Sequence, residues 1–258
     1  MQTPRLVRTR DTEGGPYRTA VCRSMIAVSH AMVLAAGMGV RMRPLTNTRP
    51  KALVELGGET LLDRALAKCR AAAVGSIVVN THYLGELIGA HVEGMADIRL
   101  SPETELLETG GGVCKALPHL GAQPFCVVNC DSVWTDGPVP ALVRLFQSWR
   151  DEDMDALLLM TPVEKAVGYK GSGDFAIDAY GRAHRRHGDD PAPFVFMGVQ
   201  LLHSRLFAGM PVARYSLNRL YDKALAAGRL YGLVHDADWY HVGTPEDLAA
   251  AEASMERV

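Results

Sequence analysis

Nothing in the 258 residues approaches the run of ~20 apolar side chains that a membrane-spanning helix needs, which excludes a helical membrane protein. Charge of one sign is missing too. Against 27 Lys and Arg stand 29 Asp and Glu, a formal net charge of -2, so there is no general attraction to nucleic acid or to an anionic membrane. Any phosphate bound by this chain must be held locally. Cysteine is sparse: Cys22, Cys69, Cys114, Cys126 and Cys130 are an odd number with no CxxC pair. No disulfide framework is expected, and the thiols read as reduced, buried groups of a cytoplasmic protein. With 48% hydrophobic and 22% charged residues, the composition fits one large domain with a full core.

Residues 1–24 have a different character, with Arg5, Arg8, Arg10, Arg18 and Arg23, the turn-forming Gly14-Gly15-Pro16 and little periodic hydrophobicity. Asp11 and Glu13 speak against a transit peptide. Residues 1–28 are expected to be a disordered extension, with Met25 a candidate start, and 29–258 to form a single domain.

What is present is a strand-length apolar run, Ala31 to Ala36, that empties into Gly37-Met38-Gly39-Val40-Arg41-Met42-Arg43, with Pro50-Lys51 a few residues on. Gly37 and Gly39 let the backbone turn sharply, which brings the N–H groups of Ala36, Gly37, Gly39 and Val40 towards phosphate oxygens. Arg41, Arg43 and Lys51 add positive charge, Arg as a rigid fork and Lys as a point charge. Two familiar phosphate loops fit poorly. Met42 stands where a dinucleotide fingerprint needs its third glycine, and no Gly-Lys-Ser/Thr follows.

The periodicity predicts a helix over 60–73 capped by Thr60 and Asp63, a strand over 76–80, a helix over 84–92 and a strand over 98–100. This alternation argues for an α/β fold, a Rossmann-like, mostly parallel sheet flanked by helices. In such sheets ligands sit beyond the carboxyl ends of the strands. The loops at Gly37, Asn80 to Tyr83, Ser101 to Glu103 and Asn129 to Asp131 share that edge, so Asn80 is a candidate ligand contact. Glu108-Thr109-Gly110-Gly111-Gly112 opens another helix, where the N–H groups of Gly110 and Gly111 are expected to be free for a ligand. Asp131 ends the strand that starts at Phe125, a place for either a turn former or a metal ligand. Trp134 and Asp136 read as loop packing and capping. Further strands are expected over 155–161, 194–202 and 230–234, with Gly198 marking a close approach by ligand. Lys165 and Lys170 are solvated loop lysines or phosphate contacts, and residues 182–187 a solvated hairpin. A helix is expected over 216–227, and Thr244 and Pro245 open a last one that runs to about Met255.

Leu34-Ala35-Ala36-Gly37-x-Gly39-x-Arg41-Met42-Arg43-Pro44-Leu45-Thr46, with Pro50-Lys51-Ala52-Leu53-Val54, resembles the signature of the sugar-1-phosphate nucleotidyltransferases. From about Met32 onward the chain is similar to bacterial N-acetylmuramate 1-phosphate uridylyltransferases of cell-wall recycling, and more distantly to mannose-1-phosphate guanylyltransferases. The resemblance implies the nucleotide-diphospho-sugar transferase fold, with UTP and a sugar 1-phosphate as substrates and pyrophosphate as a product. It makes the 110–112 stretch a nucleobase platform, puts Glu108 on the base or ribose and Mg²⁺ on Asp131, and places Lys170 and Asp174 among sugar-phosphate contacts. Arg41 is then assigned to the pyrophosphate and Lys51 to the reacting phosphates.

One position departs from that pattern. Where most members have Asp in Trp-x-Asp-x-Gly-Thr, this chain has His241. Imidazole suits Mn²⁺ or Zn²⁺ better than Mg²⁺, so His241 binds a softer metal, contacts phosphate, leaves the metal to Asp131 and substrate oxygens, or is simply structural. The reading preferred is a retained metal site with altered coordination. Two rivals stand beside uridylyl transfer: a mannose- or heptose-1-phosphate guanylyltransferase, and a non-catalytic nucleotide-sugar sensor.

Overall fold

Buried strands alternating with amphipathic helices build the three layers of this protein, whose computed structural model describes residues 26–255. The expected extension lies outside the described residues up to 25. Its last part does not: Ile26 packs on the core and Val28 is buried in it, so the described fold takes in residues 26–28 as well.

In chain order the elements are β1 (His30–Leu34), β2 (Glu55–Leu56), β3 (Glu59–Thr60), α1 (Leu61–Ala71), β4 (Ser76–Thr81), α2 (Gly85–His91), β5 (Ile98–Pro102), α3 (Glu108–Leu120) and β6 (Phe125–Asn129). There follow β7 (Ser132–Trp134), α4 (Ala141–Ser148), β8 (Ala156–Pro162), β9 (Ala166–Val167), β10 (Phe175–Ile177), β11 (Ala183–Arg185) and β12 (Phe194–Leu202). The chain closes with α5 (Asn218–Ala226), β13 (Leu230–Val234), β14 (Trp239–His241) and α6 (Pro245–Met255).

The main sheet runs β5-β4-β1-β6-β12, continues through β8 to β13, and carries the hairpin β10-β11 on the free edge of the first half of β12. β5, β4, β1 and β6 are parallel, and β12 opposes β6 and β8. Alternate strand residues feed two cores. Val33, Val79, Val128 and Leu157 meet α1, α2 and α4 on one face, while Met32, Val78, Val127 and Leu158 meet α3 and α5 on the other. The predicted caps form: the Asp63 N–H donates to Thr60 Oγ1 (3.0 Å) at α1, and the Asp247 N–H to Thr244 Oγ1 (3.2 Å) at α6. Asp136 caps α4 through the Ala141 N–H at 2.8 Å and accepts from the indole of buried Trp134, as expected.

The short second sheet, β7-β14-β9, escapes sequence reading because none of its strands exceeds three residues. It matters for function: β14 pairs antiparallel with β7, His241 opposite Ser132, and so draws the C-terminal segment alongside Asp131.

At the opposite end of the sheet, Asp155 takes the guanidinium Nε of Arg205 (2.7 Å) and of Arg229 (2.9 Å). Burial pushes this carboxyl up, but the two arginines outweigh it and hold it below the usual carboxylate range. A carboxylate with a depressed folded-state pKa stabilises the fold above its unfolded pKa and loses that contribution as pH falls. Asp155→Ala is therefore expected to destabilise by about 2–3 kcal/mol in urea unfolding at pH 7, with the difference from wild type shrinking steadily as the pH is lowered below about 4.

Candidate active site

The carboxyl ends of β1, β4 and β6 open onto a cavity of about 380 Å³, walled by Ala35, Ala36 and Gly37 on one side and by Asn129 and Asp131 on the other. Lys51 stands between them. It is the first residue of a tight turn (Lys51–Leu53) held after Pro50, and its Nζ lies 2.6 Å from Asp131 Oδ2. Gly39 has φ of 61°, and a Cβ there would meet Lys51 Cβ and Thr46 Cγ2 at 3.0 Å each. The predicted glycine is thus needed on two counts, left-handed backbone and the close approach of the lysine stem.

Gly37, Lys51 and Asp131 also wall a second, smaller cavity of about 220 Å³, completed by Gly39, Val40, Arg41 and Gly243. Three polar groups crowd the Gly243 Cα: a Cβ there would lie 2.8 Å from His241 Nε2 and 3.2 Å from both Arg41 Nη1 and Asp247 Oδ2. Asp247 also accepts the Gly243 N–H at 3.2 Å. His241 packs against Trp239 and edge-on to Tyr169, with ring centroids 5.8 and 6.1 Å away. Burial lowers its basicity, and although Asp247 and Asp131 work against this while Arg41 and Lys51 reinforce it, the net effect is an imidazole held neutral at pH 7. Among the described residues no group of three or more His, Cys, Asp or Glu side chains is placed to hold a metal.

The other end of the main cavity is built on a buried network. Asn80 Oδ1 accepts the Ala35 N–H (2.8 Å), Asn80 Nδ2 donates to Glu103 Oε1 (2.7 Å), and Glu103 Oε2 accepts the Leu107 N–H (2.8 Å). Asn80 is at the cavity wall as expected, but its oxygen and one amide proton are taken, leaving a single N–H for a ligand. Glu108 is exposed at the rim, φ 58°, paired with Arg214 at 3.1 Å.

A family model, the MobA-like NTP transferase domain, matches residues 31–223. The chain belongs to that family. It is 38% identical over 232 residues to the N-acetylmuramate alpha-1-phosphate uridylyltransferase of Caulobacter vibrioides, covering 87% of this chain and 96% of the relative. It is 35% identical to the protein of the same name from Neisseria meningitidis, over 86% and 96% of the two chains. A mannose-1-phosphate guanyltransferase of Aspergillus fumigatus is 27% identical over 84% of this chain but only 62% of its own length. In architecture the chain resembles a UDP-glucose pyrophosphorylase solved with UDP-glucose (TM-score 0.72, 14% identity, 90% of this chain and 100% of that one). It also resembles HddC from Yersinia pseudotuberculosis solved with GMP-PN (TM-score 0.70, 21% identity, 88% and 100%).

For this MobA-like transferase, Arg41, Lys51, Asp131, Ala36, Gly37, Gly39, Val40, Asn80 and Glu108 all fall on the walls of the two adjoining cavities. Five other predicted residues, Gly110, Gly111, Gly198, Asp174 and Lys170, do not fall on those walls. Gly110 and Gly111 do not offer free donors: both N–H groups bind the Tyr215 carbonyl, at 2.9 and 3.1 Å. They are glycines because the Tyr215 ring lies on Gly110 and the Ala213 carbonyl on Gly111. Gly198 answers an approach by Asn129 rather than by a ligand, since at φ 76° its Cβ would sit 2.7 Å from Asn129 Nδ2. The register of β12 against β8 shifts between Phe196 and Gln200, where Gly198 sits. Asp174 and Lys170 wall neither cavity; the Asp174 carboxylate accepts the Phe196 N–H at 2.9 Å, and Lys170 is exposed on its loop.

Sequence reasoning missed Arg214, Ser216 and Asp247, and placed Glu103 on the ligand edge without assigning it a role. Glu103 shares the strand edge with Asn80, a usable signal. Asp247 reads as an ordinary first-turn acid of α6, and only the fold brings it to Arg41.

Proposed function

We propose that this chain transfers the nucleotidyl group of an NTP, UTP above the others, to a sugar 1-phosphate, N-acetylmuramate 1-phosphate first among them, and releases pyrophosphate. The observation that carries the reading is the meeting of Lys51 and Asp131 at the junction of the two cavities, one sized for a nucleoside and one lined by arginine and glycine backbone. The 38% identity across nearly the whole of a uridylyltransferase supports the substrate pair. The buried, unpaired Cys69, Cys114, Cys126 and Cys130 suit a reducing cytoplasm.

The chemistry asks little of acid–base groups. A sugar phosphate with a second pKa of about 6 is largely a dianion at neutral pH and already a nucleophile. What it needs is an in-line approach to the α-phosphorus, shielding of negative from negative charge, and stabilisation of the departing pyrophosphate. The 36–40 backbone cradles the triphosphate, Arg41 meets the pyrophosphate oxygens, and Lys51 neutralises the reacting phosphates.

A divalent cation, Mg²⁺ or, because of His241, Mn²⁺, belongs beside Asp131. The donors present fit that chemistry: one carboxylate facing both cavities and one neutral imidazole close by, so phosphate oxygens and water must complete the shell. When bound, such an ion neutralises phosphate charge.

The test is pyrophosphate release from the four NTPs against N-acetylmuramate, N-acetylglucosamine, mannose and glucose 1-phosphates, with Mg²⁺ and with Mn²⁺. UTP with N-acetylmuramate 1-phosphate is expected to lead by at least about tenfold in kcat/KM, the worth of ~1.4 kcal/mol of transition-state binding. A lead by GTP with mannose 1-phosphate would move the chain to the guanylyltransferases. Bound nucleotide with no pyrophosphate from any pair would make it a sensor.

A further inference from the structure

Asp131 is the carboxylate common to both cavities, and one of its oxygens is engaged: Oδ2 accepts from the Lys51 ammonium at 2.6 Å. The pair is partly shielded, with 13% of the lysine side chain and 35% of the aspartate exposed. The surroundings do not favour a free cation. Arg41 stands in the same compartment, one oxygen of the neighbouring Asp247 carboxylate accepts the Gly243 N–H, and no three-donor cluster exists among the described residues. The same arrangement favours a polyanion. Lys51 is anchored at its base, where its Cβ packs at Gly39, while its flexible stem sets Nζ at the junction of the two cavities.

We propose that the Lys51–Asp131 pair is a charge lock: it closes the carboxylate to divalent cations until the phosphates of a nucleotide draw Lys51 away, so that the protein takes up its cation with nucleotide and not before it. An ammonium at contact distance weakens a carboxylate's hold on a divalent ion, since it takes one of the two oxygens and its positive charge repels the ion across the pair. A triphosphate offers Lys51 several formal negative charges where Asp131 offers one, and the aspartate it leaves then faces the same phosphates. Nucleotide and cation thereby become linked ligands, each raising the affinity for the other by the same factor. The nucleotide half of this inference rests on the proposed function; the lock itself is a property of the free protein.

The lock makes a prediction opposite in sign to a simple loss of function: crippling a catalytic lysine should improve metal binding. Mn²⁺ binding is measured by electron paramagnetic resonance on the full-length free protein, with thermal melts to confirm folding. Lys51→Met, which keeps the stem and removes the charge, is expected to bind Mn²⁺ on the order of tenfold more tightly than wild type. Lys51→Gln serves if Lys51→Met does not fold, and Lys51→Arg should stay near wild type. Adding Asp131→Asn to the tighter variant should abolish the gain. Equal Mn²⁺ affinity in wild type and the charge-removed variant, or a gain that survives Asp131→Asn, overturns the lock. With nucleotide, Mn²⁺ should raise the affinity of the wild-type protein for a non-hydrolysable UTP analogue, and this rise should shrink in Lys51→Met. An analogue that binds equally with and without Mn²⁺ also overturns the lock. An analogue that does not bind at all overturns the proposed function, while the comparison on the free protein still stands.

Discussion

Lys51→Ala or Asp131→Ala is expected to lower kcat by at least two orders of magnitude, equivalent to about 2.7 kcal/mol of lost transition-state stabilisation, while the fold survives. The two side chains meet each other at 2.6 Å where the cavities join, so each faces the position at which two phosphates must approach. On the proposed reading, the approaching dianion and the triphosphate would repel with less compensation without Lys51, and a divalent cation would lose its one carboxylate from the chain without Asp131. Survival of the fold follows from position. The pair sits on loops at the end of the sheet, and a partly exposed ion pair contributes roughly 1 kcal/mol to stability. Steady-state kinetics beside thermal melts decide the matter: near-normal turnover in either variant, or loss of activity only together with loss of folding, would refute the assignment.

The second large effect is expected at a residue off the cavity walls. In Gly111→Ala the new Cβ would fall 1.9 Å from the Ala213 carbonyl oxygen, backbone against backbone, and no rotamer change relieves it. The start of α3 and the 213–215 segment must part, which breaks the bonds from the Gly110 and Gly111 N–H groups to Tyr215. About 3 kcal/mol is the expected loss, the upper range for an overpacked site, or a fall in Tm of roughly 6–12 °C for a domain of this size. KM for the NTP should rise with it, because Glu108 and Thr109 on the cavity wall belong to the same turn. Gly37→Ala is the control. Nothing lies within 4 Å of its Cβ, so Tm should hold while KM rises as the methyl intrudes on the cavity. A Gly111→Ala protein that melts like wild type would show that the packing is looser than these distances state.

The strands of the main sheet were legible because burial on both faces leaves near-continuous apolar runs such as Phe125 to Val128, and the helices because Thr60 and Thr244 announce their starts. Half of the site was legible for a related reason: a phosphate loop is local, and Gly39, Arg41 and Lys51 lie within one short stretch. The glycine run at 110–112 misled. A glycine needed for a ligand and one needed for a neighbouring carbonyl look the same in sequence, and here the neighbour, Ala213 to Tyr215, is about a hundred residues away. Asp174 misled likewise, since a carboxylate before a strand serves the Phe196 N–H as readily as a hydroxyl. The α4 helix, with Ala141, Leu142, Leu145 and Phe146 buried, carried a readable period but followed a loop dense in Gly and Pro. The β7-β14-β9 sheet could not be read at all, and with it went the proximity of Asp247 to Arg41.

That small sheet also gives the protein an optical handle. Of the three tryptophans, Trp134 and Trp239 are opposed across β7 and β14, and the Trp239 indole donates to Ser132, the residue next to Asp131. The Trp239 ring also packs, tilted, against His241. Emission from the unlabelled native chain therefore comes in large part from the small sheet that carries His241 next to the second cavity, and occupancy there can be followed by intrinsic fluorescence, without a substrate having to turn over.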